Sequence, residues 1–175
     1  SNTSILAGGG VDQMSFVSSA FGSVISGGAS QSATIQFFSG NDFVSFDGTF
    51  TASSIAAGGG ADTLVFLTGS ALGTGTQVSL GSGAVTASFL GQNTFAFASG
   101  IASGSNISFG VNNDMATFIG AIGAASLRAG GGNDTLVFTN VALAATTIAG
   151  GAGADVFNGS VSVGTGGLSF WGGVG

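Results

Sequence analysis

The stretch SLRAGGGNDTLVF, residues 126–138, decides the fold, because the chain repeats it with variations. SIAAGGGADTLVF (54–66), SILAGGGVDQMSF (4–16) and TIAGGAGADVFNG (147–159) align with it, and FFSGNDFVSF (37–46) and FGVNNDMATF (109–118) are shorter versions. Each places one acid after a turn-forming stretch: Asp12, Asp42, Asp62, Asp114, Asp134 and Asp155. From Asp42 to Asp62, and from Asp114 through Asp134 to Asp155, every step is about 20 residues. Asn93, in QNTFAF (92–97), stands one such step before Asp114, where a further acid would fall. A longer unit maps Asp42 onto Asp114, Asp62 onto Asp134, Phe46 onto Phe118 and Phe66 onto Phe138. Fixed periods of this kind are the signature of stacked repeats.

The residues after each acid are equally regular. Two positions on comes an apolar side chain (Met14, Val44, Leu64, Ala116, Leu136, Phe157), and four positions on, in five of six cases, comes Phe16, Phe46, Phe66, Phe118 or Phe138. Apolar residues at every second position mark a strand with one buried face. Glycine two residues before five of the six acids, with Asn112 before Asp114, supplies a bend with positive φ that other side chains resist. About 20 residues suit two short strands and two turns. The expected fold is therefore all-β: a parallel β-solenoid of coils of about 20 residues, stacked roughly 4.8 Å apart. Phe would lie over Phe inside, and Asp over Asp in a row along one edge. Residues 1–175 are read as a single repeat array and as part of a longer surface protein.

Composition narrows the function. Of 175 residues 35 are Gly, there is no Pro, Cys or His, and charged residues make up only 5%. The one basic residue is Arg128, and all seven acids are Asp, with a formal net charge of −6. General acid–base and nucleophilic catalysis lack their usual groups, so the chain is not expected to be an enzyme. Zinc and copper lack His and Cys. Nucleic acid lacks a cationic face to bind. Membrane insertion is not expected, since Gly, Ser or Thr interrupts every apolar stretch. What remains is carboxylate and carbonyl oxygen, donors suited to a hard cation such as Ca²⁺. Stacked carboxylates repel strongly unless a cation lies between them.

GGAGADVFN (150–158) resembles the RTX nonapeptide G-G-x-G-x-D-x-U-x of calcium-binding β-rolls, and AGGGADTLV (57–65), AGGGNDTLV (129–137) and AGGGVDQMS (7–15) come close to it. The resemblance implies Ca²⁺ between the turns of neighbouring coils. The metal ligands it implies are Asp42 with Asp62, then Asp114, Asp134 and Asp155 in sequence, with Asp12 separate. Members of that family include surface-layer proteins, adhesins, toxins and secreted enzymes.

The remaining side chains have plainer readings. Asn41, Asn113 and Asn133 are expected to tolerate left-handed backbone rather than bind a ligand. Asp47 falls outside the repeat register and reads as a solvated turn residue, the Phe column as core, and Trp171 as lying near a fragment boundary. Arg128 is expected to pair with Asp47 or Asp155 of an adjacent coil. Low charge and uncapped strand edges favour self-association into a layer or filament. The expected function is a calcium-stabilised structural repeat of a secreted, cell-surface assembly. Alternatives are the secretion module of a larger enzyme or toxin, an ice-binding solenoid, and a calcium-independent functional amyloid.

Overall fold

The structure is a computed structural model that describes residues 4–7, 13–16, 23–37 and 40–173, with side chains from residue 32 onward. It is all-β, with two parallel sheets that the chain visits by turns. Along the first sheet Phe43 pairs with Thr63, Thr63 with Thr86, Thr86 with Asn106 and Asn106 with Ser126. Each pairing closes one coil of about 20 residues, the one from Thr63 to Thr86 being slightly longer, in a β-solenoid of the expected kind. In the second sheet Thr94 pairs with Met115, Met115 with Thr135 and Thr135 with Val156.

The alternation read from the sequence becomes the two faces of each strand. In Thr63–Phe66 and in Thr94–Phe97 the second and fourth residues are buried, while the others are partly exposed. Burial puts two columns of phenylalanine inside rather than one. Phe46, Phe66 and Phe89 stack in the first sheet with centroids 4.5 and 4.7 Å apart. Phe97, Phe118 and Phe138 stack in the second at 4.8 and 5.0 Å. Phe89 and Phe97 meet edge to face across the core at 6.0 Å. The stacking distances follow from the strand spacing, since identical positions in successive coils lie one rung apart.

The longer repeat crosses from one side of this stack to the other. Three coils carry the position of Asp42 through Asp62 and Val85 to Ser105. Asp114 lies about half a coil beyond Ser105. The second half of the duplication therefore begins on the opposite edge, and its Phe residues fill the opposite sheet.

Candidate cation-binding corners

The acids consequently form two rows. Asp42 and Asp62 lead into strands of the first sheet, Phe43–Thr51 and Thr63–Phe66. Asp114, Asp134 and Asp155 lead into strands of the second, Met115–Ile119, Thr135–Leu143 and Val156–Val163. This corrects the expectation of one loaded edge, while the two groups are those the family resemblance implied. Asp12 lies outside the described residues.

Four of the five described acidic corners are shaped by a glycine two residues before the acid; the Asp114 corner has Asn112 there, without positive φ. Gly40, Gly60, Gly132 and Gly153 have φ of 114°, 125°, 110° and 121°, a region that favours glycine. A methyl group on Gly60 would also overlap the carbonyl of Gly40, and one on Gly153 the carbonyl of Gly132. Glycine is thus required twice, by conformation and by how closely successive corners stack.

Where the backbone turns the corner, its N–H leaves the strand ladder, and the next coil's Asp accepts it. Asp62 Oδ1 accepts from the Asp42 N–H at 2.9 Å, Asp134 Oδ1 from Asp114 at 2.8 Å, and Asp155 Oδ1 from Asp134 at 3.2 Å. Asp114 Oδ1 takes the Asn93 N–H at 2.7 Å and its side-chain amide at 3.0 Å. The Asn residues work in the other direction. Asn41 Oδ1 accepts from the Ala61 N–H at 2.9 Å, Asn113 from Asn133 at 2.8 Å and Asn133 from Ala154 at 2.9 Å. None of the three has positive φ. They are there to fasten one coil to the next, not to tolerate left-handed backbone.

Sequence reasoning missed the other members of these rows. Ser53 Oγ accepts from Ala33 at 3.1 Å, and Ser105 Oγ from Val85 at 3.1 Å. Both residues are buried. The signal was present: Ser105 is followed two and four positions on by Ile107 and Phe109, as an acid would be. A hydroxyl therefore does the backbone work of a corner Asp without burying a charge.

The acids carry one oxygen more than that work needs. The Oδ2 atoms of Asp62, Asp114 and Asp134 are buried and make no hydrogen bond among the described residues. Burial pushes the carboxyls of Asp114 and Asp134 up to about 6, and the acid of the next coil adds to the rise, against the lowering effect of the bonds they accept. Asp62 is raised by the same burial, against the lowering effect of the bond it accepts from the Asp42 N–H, with the Asp42 charge adding a smaller rise.

Arg128 sits on the outer face of the first sheet between Ser108 and Ala149, and Asp47 lies beside Ser26 in the same sheet, several strands away. The expected pairing of Arg128 with an adjacent coil's Asp47 does not form, and Asp155 belongs to an edge, not to this face. The groove on the outer face of the second sheet is lined by Thr74, Gln77, Thr94, Phe95, Met115 and Thr117, none of them ionisable near neutral pH. Neither a protein-family model, nor a curated protein, nor a solved structure matches the chain.

Proposed function

We propose that this chain is a non-catalytic structural module of an extracellular, cell-surface assembly, stiffened by calcium at its acidic corners and related in design to RTX repeats. The observation that carries the reading is the surplus oxygen. Ser53 and Ser105 serve the corner N–H as neutral groups, yet three corners bury a carboxylate whose second oxygen has no partner among the described residues. Burying an ionised group unpaired is costly, and a hard cation is the partner that such an oxygen lacks.

The donor set fits calcium in kind. Asp42 with Asp62, and Asp114 with Asp134 and Asp155, would hold the ions. Among the described residues no three acids converge on one point. Turn carbonyls and water would therefore have to complete each coordination shell. A bound ion would neutralise neighbouring carboxylates and couple stacking to its own binding.

The structural role rests on the surface. Among the described residues only Asp47 and Arg128 are charged and exposed. A surface this poor in charge favours packing against further protein rather than dispersal. A calcium titration followed by circular dichroism and light scattering tests the proposal. Calcium should raise β-structure or melting temperature and increase particle size; a chain unchanged in both by calcium and by EGTA would refute it.

A further inference from the structure

Resting on the assembly reading, we propose that two copies of this chain pair face to face through the outer surface of the first sheet, antiparallel in stacking direction. The two-fold axis would run along the strand Thr86–Phe89. The two exposed charged side chains among the described residues, Asp47 and Arg128, have opposite sign and lie on this one face. All the other described acids are buried or half-buried at the corners.

Their placement is symmetric. In sheet order the strand of Asp47, Phe43–Thr51, is followed by Thr63–Phe66, Thr86–Phe89, Asn106–Phe109 and Ser126–Gly131, which carries Arg128. Asp47 and Arg128 thus lie two strands on either side of Thr86–Phe89, together four steps or roughly 19 Å apart. One chain cannot join them. A two-fold axis along the central strand lays the Asp47 strand of each copy over the Arg128 strand of the other. The two residues are then offset by two positions along the strand, a span the long arginine side chain covers. One copy's Asp47 meets its partner's Arg128 twice, the self-complementary pattern of an isologous dimer.

The surface between the charges permits the approach. Ser45, Val65, Ser88 and Ser108 form the outward column in line with Arg128. All four are small and none is charged. Leu90, 37% exposed, follows the central strand and would lie at the axis against its own copy. Charge complementarity of this kind selects register and partner more than it supplies raw affinity.

Sedimentation of the full 175-residue chain in calcium, with charge-reversal variants, tests the pairing. Wild type should form a dimer. Arg128→Asp and Asp47→Arg should each raise its Kd by about tenfold or more, and the double reversal should return it to within about threefold of wild type. Salt of about 0.5 M should loosen the wild-type dimer. Both residues are exposed, and circular dichroism will show whether each variant keeps the fold. Single reversals that leave the Kd unchanged, or a double variant no better than the singles, would overturn the proposal. Open-ended particles indifferent to both reversals would also overturn it while leaving the assembly reading intact. A wild-type chain that stays monomeric at high concentration in calcium would sink both.

Discussion

The corner glycines and acids divide a task that few residue types can share. Gly60 combines a φ of 125° with a position directly against the Gly40 carbonyl. Gly60→Ala is expected to destabilise by about 1–3 kcal/mol or more, the ordinary cost of a strained backbone conformation, with overlap added. Gly172→Ala, at a site open to solvent, is the matched control and should be near neutral in a denaturant melt. Ser105→Ala would leave the buried Val85 N–H without its acceptor. It is expected to cost about 1–3 kcal/mol by the same measurement, whereas Ser105→Asn, which keeps an acceptor, should cost less. The glycines and acids were legible from the sequence because only glycine suits that φ and because the acids share one phase. The hydroxyl members were passed over because Ser and Thr are common everywhere in this chain, and only the apolar pair behind Ser105 marks it out. The Asn role was not legible at all. It depends on an N–H belonging to the next coil, which no local pattern displays.

At the scale of the strand, alternation predicted which residues point inward, and the structure agrees at Leu64 and Phe66, at Phe95 and Phe97, and at Leu136 and Phe138. What alternation could not assign was the sheet. The longer period invites superposing Asp42 on Asp114, yet the extended coil between Thr63 and Thr86 and a half-coil remainder put them on opposite edges. A repeat in sequence is a repeat in space only when its length is a whole number of coils. The phenylalanine columns give this level its test. Phe66 is fully buried between Phe46 and Phe89, and Phe66→Ala is expected to cost about 3–5 kcal/mol. Phe170, 49% exposed and touching Phe157 edge to face, should lose less than about 2 kcal/mol on the same change. Equal losses would mean that the interior column does not bear the packing.

For the whole molecule, the buried acids set how stability follows pH. In the metal-free chain the Asp114 and Asp134 carboxyls titrate at about 6, against roughly 3.9 in an unfolded chain. The folded state therefore holds more protons between those values, and folding is most favourable below about pH 4 and weakens as pH rises toward 6. Melting in EGTA should show the midpoint falling across that window; a midpoint that rises instead would contradict the burial of these carboxyls. Calcium should act against that loss by taking the place of the protons. The most direct measurement is the melting temperature at pH 7 in calcium and in EGTA, for wild type and for Asp134→Asn. Asp134→Asn keeps the Oδ1 acceptor and removes the surplus charge. A calcium concentration a hundredfold over Kd supplies about 2.7 kcal/mol per site, which should raise the wild-type midpoint by about 5 °C or more. The variant should melt higher than wild type in EGTA and gain less from calcium. Superimposable wild-type melts with and without calcium would contradict the account.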